Sequence, residues 1–235
     1  MIRYKGTYPA YDDSIILTKL ECPALPSVQH DTVRIPCRPG NILTAHSHGE
    51  RKIRATFELN GKNAMRNATL AAQLIKWAAS SEPAQLILDE TPDRYFLAQL
   101  TDATAPDYAA QYPTITLTFT CDNPYSFALE WSAEQVGREF WYLGTVAVWP
   151  VIVLQPQSKV ENPSWSANGR MIELSGLTIV PGDDLIIDNA NRKITINGQN
   201  AMPYLTLDSD WLYMQPGITK IEGSGGKVVW RDVYL

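Results

Sequence analysis

Hydrophobic positions along this chain recur mostly with a period of two. Over 52–59, Ile53, Ala55, Phe57 and Leu59 alternate with Lys52, Arg54, Thr56 and Glu58. That alternation marks a strand with one buried and one wet face. The pattern repeats over 112–120, where Ile115, Leu117 and Phe119 point one way and Thr114, Thr116, Thr118 and Thr120 the other. Threonine on the open side suits a half-covered sheet. Shorter strands are expected at 85–88, 94–100, 146–154, 171–174, 185–188, 193–196, 219–222 and 227–231. One helix is predicted over 67–79, where Leu70, Leu74, Trp77 and Ala78 share a face. Asn67 is its expected N-cap, and Pro83 follows its end. Its alanines leave little bulk on the outer face, so it should lie against a sheet.

Turn chemistry divides the chain. Asn-Gly occurs at Asn60-Gly61, Asn168-Gly169 and Asn197-Gly198, a dipeptide suited to tight turns with positive φ. Beyond about residue 160, turn signals about ten residues apart predict an all-β sandwich. The first part, strands with one helix, is a different unit. Periodicity is poor between Tyr125 and Val146, and the boundary is set there: 1–130 for the first domain and 131–235 for the second.

Length and charge narrow the function. A chain of 235 residues accommodates two domains and buries a core without staples. Twenty basic against 25 acidic residues give a net charge of −5, opposite in sign to a protein that grips phosphates. The longest apolar run, Val146 to Leu154, has nine residues and contains Pro150, far short of the roughly 20 a spanning helix needs. The first residues lack the apolar core of a signal peptide. Cys22, Cys37 and Cys121 form no Cys-x-x-Cys pair and read as reduced thiols of a protein made in a cytoplasm.

Candidate chemistry is sparse. All three histidines, His30, His46 and His48, lie in the first half. If 46–50 is extended, His46, His48 and Glu50 fall on one side, a three-ligand arrangement for zinc. Gly49 weakens the strand assumption and no fourth ligand is in sight, so a polar, exposed hairpin or loop is the preferred reading. No Gly-x-Ser-x-Gly elbow or His-Glu-x-x-His helix occurs. Asp183-Asp184 reads as a turn, and Gly223-Ser224-Gly225-Gly226 precedes a strand rather than the helix a phosphate cradle needs. Neither a catalytic residue nor a cofactor is assigned. Arg34, Arg38, Arg51, Lys52 and Arg54 form the one basic concentration, read as a subunit contact or a solvated face. Six of the seven tryptophans lie beyond residue 130. Core packing and subunit contact account for them best. The alternative is a carbohydrate-binding module that recognises host cell-wall glycans, with Trp165, Trp211 and Trp230 as the contact aromatics.

Several motifs in order resemble the distal tail proteins of long-tailed, non-contractile bacteriophages. In the first half they are Arg38-Pro39-Gly40-Asn41, Gly49-Glu50-Arg51-Lys52-Ile53, the helix containing Trp77, Leu86-Ile87-Leu88-Asp89-Glu90-Thr91-Pro92-Asp93-Arg94-Tyr95-Phe96, and Phe119-Thr120-Cys121-Asp122-Asn123-Pro124-Tyr125. In the second they are Gly144-Thr145, Trp149-Pro150-Val151-Ile152, Gly182-Asp183-Asp184-Leu185-Ile186-Ile187-Asp188, Ile196-Asn197-Gly198-Gln199-Asn200 and Gln215-Pro216-Gly217-Ile218-Thr219. The resemblance implies a mainly β fold: an N-terminal β-sandwich-type ring domain with one α-helix and a hairpin, then a C-terminal galectin-like β-sandwich. It also implies a structural, non-enzymatic role as a homo-hexamer, or two stacked rings, at the virion tail tip, assembled in the bacterial host cytoplasm. Such a ring joins the tail tube protein to the tail-associated hub protein, with tape-measure and receptor-binding proteins as further partners and DNA as a transient passenger. On this reading the segment 30–49, taken as a loop, contributes to ring contacts or the channel, with Arg38, His46, His48, Arg51, Lys52 and Arg54 as candidates. The second domain has no histidine, so the His-x-Asn-x-Arg pattern with which galectins hold galactosides is missing.

Overall fold

The structure is a computed structural model describing residues 1–9, 14–37 and 39–235; Arg38 lies outside them. The chain is mainly β and forms two compact units, Met1–Ser126 (with Leu235) and Phe127–Tyr234. The sequence placed the division at 130/131.

In the first unit the strands are β1 (Ile2–Tyr4), β2 (Ile15–Glu21), β3 (Val28–Val33), β4 (Ile42–His48) and β5 (Arg51–Leu59). Helix α1 (Ala64–Ala78) follows, then β6 (Ala84–Leu88), β7 (Arg94–Ala103) and β8 (Thr114–Cys121). An antiparallel sheet runs in the order β1-β6-β7-β8-β5-β2. β5 is its keel, pairing β2 on one side and β8 on the other, with Arg51 opposite Cys121 and Glu58 opposite Thr114. The alternation read from the sequence holds: Ile53, Ala55, Phe57 and Leu59 are fully buried, and Ile115, Leu117 and Phe119 join them from β8. Helix α1 covers this core with Leu70, Ala71, Leu74 and Ala78. Trp77 sits at the rim, edge-on to Tyr4, Phe57 and Phe119, and its Nε1 donates to the Thr7 carbonyl at 3.2 Å.

The helix starts earlier than predicted. Asn63, not Asn67, is the N-cap, its side chain accepting from Arg66 N at 2.8 Å. Asn67 is buried one turn inside, where its Oδ1 accepts from Gly61 N at 2.6 Å. Asn60-Gly61 is therefore no hairpin turn. A Cβ on Gly61 would lie 2.6 Å from Asn67 Oδ1 and 2.8 Å from Asn67 N, so glycine is required by close approach to the helix.

The segment 30–49 is not a loop. β3 and β4 form a two-stranded hairpin with His30 opposite His46 and Val28 opposite His48, irregular between Asp31 and Thr32. Both faces of β3 are largely exposed. With neither face buried, the sequence carries no hydrophobic alternation to announce a strand.

The second unit has its own core. Its largest sheet orders strands Ser132–Gln135, Lys227–Trp230, Val151–Leu154, Leu185–Asp188, Lys193–Ile196 and Gln199–Asn200. A three-stranded sheet orders Arg170–Glu173, Ser164–Ala167 and Glu222–Gly223. A ribbon pairs Glu139–Tyr142 with Gly217–Lys220. Ile152, Leu154, Trp165, Ile172, Ile187, Ile194, Met214 and Val228 share one buried cluster. Here Asn-Gly behaves as predicted: Asn168 and Gly169 take φ of 52° and 74°, Asn197 and Gly198 51° and 78°, turning the chain between paired strands.

Candidate functional site: assembly surfaces of the first unit and aromatics of the second

Period-two placement splits the basic cluster. Arg51 shares the parity of Ile53 and Ala55, so it points into the protein and is 4% exposed. Its Nη1 donates to the Pro23 carbonyl at 2.8 Å, and the guanidinium lies 5.3 Å from the centre of the Phe96 ring. Its Nε and Nη2 find no hydrogen-bond acceptor among the described residues. This corrects the expectation that Arg51 lines a channel or a ring contact; the alternation seen at Ile53 already carried that signal. Two thiols adjoin it. Burial pushes the Cys121 thiol up to about 12, and burial also raises Cys22, with the Arg51 cation pulling the other way.

Lys52 and Arg54 have the opposite parity and are exposed. Lys52 Nζ sits 2.7 Å from Glu50, and Arg54 lies 3.9 Å from Glu21, which also holds Lys19 at 2.5 Å. Between them the outward sheet face carries hydroxyls: Thr56 meets Thr116 at 2.9 Å and Thr101 meets Thr120 at 2.8 Å. The result is a polar face whose cations are matched by carboxylates.

Of the zinc candidates at 46–50, Glu50 is held by Lys52 and His48 packs on an aromatic ring. β4 ends at His48; Gly49 N donates to Ser27 O at 2.7 Å, and Glu50 turns to Lys52. The His48 ring packs edge-on to Tyr125 at 6.0 Å. The side chain of His46 lies outside what the structure describes. Among the described residues no three histidine, cysteine or acidic side chains gather as a metal site.

The hairpin itself is the more informative feature. Val33 and Leu43 are more than half exposed, and Ile35 just beyond β3 is exposed too. Val33 stands opposite Ile42 and Leu43 opposite Thr32, so exposed apolar side chains occur on both faces of this hairpin. Besides this hairpin, the outer strands β1 and β2 leave sheet edges that an assembly can use.

In the second unit two of the predicted glycan-contact aromatics are core residues. Trp165 is 1% exposed with Nε1 donating to the Gly225 carbonyl at 2.9 Å. Trp230 is 4% exposed, stacked on Phe140 at 4.6 Å and donating to Asp232 Oδ1 at 3.0 Å. Neither offers a face to a sugar, because each occupies an inward position of its strand. Trp211 is half-buried. The exposed indoles are Trp131, Trp141 and Trp149, which fall in or beside the stretch where the sequence pattern was weakest.

Comparison with known proteins fits this architecture domain by domain. Residues 14–121 match the family described as phage tail protein RIFT-related domain. Residues 143–234 match the siphovirus-type tail component, C-terminal domain. The distal tail protein of Bacillus phage SPP1 is 26% identical over 148 residues, 57% of this chain and 55% of that protein. The two units thus match two phage-tail domain families, and the chain resembles the distal tail proteins. The aligned part thus spans about half the length of that curated relative. The crystal structure of SPP1 Dit (gp 19.1), described as a paradigm of hub adsorption apparatus in phages infecting Gram-positive hosts, superimposes with a TM-score of 0.87 at 16% identity, covering 100% of this chain and 98% of that one. A chain of the phage p2 baseplate in its activated conformation with Sr shows a TM-score of 0.45 at 10% identity over 97% of each chain.

Proposed function

We propose that the chain is a structural virion protein that closes into a hexameric ring at the distal end of the phage tail. The ring joins tail tube to tail-tip hub and leaves a central channel for DNA; it has no enzymatic activity. The matches to two phage-tail domain families support the tail location, and one observation carries the ring: the β3–β4 hairpin keeps Val33, Ile35 and Leu43 in water on a single chain. A head-to-tail interface that closes on itself covers such a surface in every copy and leaves none free. The outward sheet face suits a channel wall, because a cation already paired with a carboxylate has little left for passing phosphates. Lys52 and Arg54 therefore remain the candidates for that wall, with His46 and His48 on the hairpin as candidates for the subunit contact.

The test is multi-angle light scattering of the full chain, alone and with tube and hub proteins, for the natural sequence and for Val33→Ser with Leu43→Ser. Both residues are exposed, so the fold should survive. Six-chain masses that the double substitution abolishes support the ring. A single-chain mass in the presence of both partners overturns it.

Glycan recognition by the second domain is a separate reading. One observation favours it: Trp141 and Trp149 present indole surface to solvent that the domain's own packing does not use.

A further inference from the structure

On the second unit, strand register builds a continuous outward strip. In the ribbon, Trp141 stands opposite Ile218 and Glu139 opposite Lys220. Ile221 is buried, so Ile218, Lys220 and Glu222 all face outward along one stretch of chain. Glu222 in turn stands opposite Ser166. The strip begins apolar: Trp141 is 61% exposed, Ile218 69% and nearby Leu143 62%. It ends in an open cavity of about 380 Å³ lined by Ser166, Asn168, Arg170, Met171, Lys220 and Glu222 among others. From Ile218 to Glu222 the extended backbone covers about 13 Å.

The cavity's polar side chains are held in place. Asn168 Nδ2 donates to the Tyr213 carbonyl at 2.8 Å. Arg170 lies 4.8 Å from the centre of the Tyr213 ring, and its Nη1 donates to the Trp211 carbonyl at 3.1 Å. Lys220 and Glu222 pair at 2.6 Å. An aromatic platform beside fixed hydrogen-bonding groups is the general form of a small-ligand site.

We propose that this strip binds a neutral, hexose-containing oligosaccharide, one ring lying on Trp141 and Ile218 and the next placing hydroxyls among Lys220, Glu222, Asn168 and Arg170. The proposal gives the glycan reading of the second domain its site and rests on that reading. Three observations select this occupant. The C–H face of a pyranose is complementary to the electron-rich face of an indole. Two cations, Lys220 and Arg170, are balanced by two carboxylates, Glu139 and Glu222, so the strip favours neither a polyanion nor a polycation. A protein partner needs about 800 Å² from each side with few charges at its centre, whereas here three apolar side chains border four charged ones.

The experiment probes the full chain with an array of neutral oligosaccharides containing glucose, galactose or N-acetylhexosamine, alongside teichoic acid as a charged polymer. Saturation-transfer NMR then measures affinity for any glycan retained. Trp141→Ala and Glu222→Gln are compared with the natural sequence, with circular dichroism checking the fold and light scattering the oligomeric mass. The expected result is binding of a neutral glycan that each substitution weakens about tenfold or more, with mass unchanged. Binding of no neutral glycan overturns the proposal together with the glycan reading. Binding indifferent to both substitutions, or a preference for teichoic acid, overturns the proposed site and leaves glycan recognition standing. Trp141→Ala altering assembly with tail proteins overturns it in favour of a protein contact. Ring formation is read from the mass alone and does not depend on any of these results.

Discussion

Replacing Arg51 tests whether the fold needs its charge or only its bulk. Arg51→Met removes the guanidinium and keeps most of the side-chain volume beneath Phe96. The loss is one charge-assisted hydrogen bond to Pro23 O, about 1.5–3 kcal/mol, and one cation–π contact, about 0.5–2 kcal/mol. Set against it is relief of two buried N–H-bearing atoms, Nε and Nη2, without acceptors among the described residues, about 1–3 kcal/mol each. The sums nearly cancel, so Arg51→Met should unfold within about 1 kcal/mol of the natural protein. Arg51→Ala also empties the space over Phe96 and should cost about 2–4 kcal/mol. Urea unfolding followed at 222 nm isolates this domain, since α1 is the only α-helix among the described residues. If methionine is as damaging as alanine, the site needs a cation, and the reasoning that places Arg51 as a packing residue is wrong.

Other outcomes follow from the same geometry. Gly61→Ala should lower the 222 nm urea midpoint by about 1 M or more, because the new methyl meets the helix backbone at Asn67 and overpacking costs about 1–3 kcal/mol; an unshifted midpoint would show that the close approach is soft. Trp165→Ala should destabilise the second domain by about 3–5 kcal/mol, read by fluorescence of the remaining tryptophans there. Cys121 has its folded pKa raised from 9.0 to about 12, so the unfolded chain loses that proton first. The stability tied to this buried thiol is complete below pH 9 and declines as pH rises from 9 to about 12. Thermal melts across that range check the direction, and Cys121→Ser should flatten the slope. Ellman's reagent at about pH 8 should label exposed Cys37 well before Cys22 and Cys121.

How much of this was legible in the sequence depended on whether one face of an element is buried. β5 and β8 were, because Ile53 to Leu59 and Ile115 to Phe119 alternate against one core. The hairpin β3–β4 was not, since exposure on both faces erases the period, and about 20 residues of polar chain look like a loop. Arg51 was misplaced because its charge outweighed its parity, although Ile53 two residues on fixes which way it points. Asn67 has the chemistry of a cap but is used one turn inside, bonding Gly61 across the entry to the helix, while Asn63 caps. Tryptophan identity alone could not sort Trp165 and Trp230 from Trp141. The difference lies in strand register, visible only once Ile218 is known to stand opposite Trp141.

Negative-stain electron microscopy of the full chain mixed with its tube and hub proteins would look at the ring itself. Hexameric closure predicts annular particles with sixfold symmetry, an open centre and a mass six times that of the chain, or twelve times where rings stack. Isolated single-chain particles with both partners present would refute it.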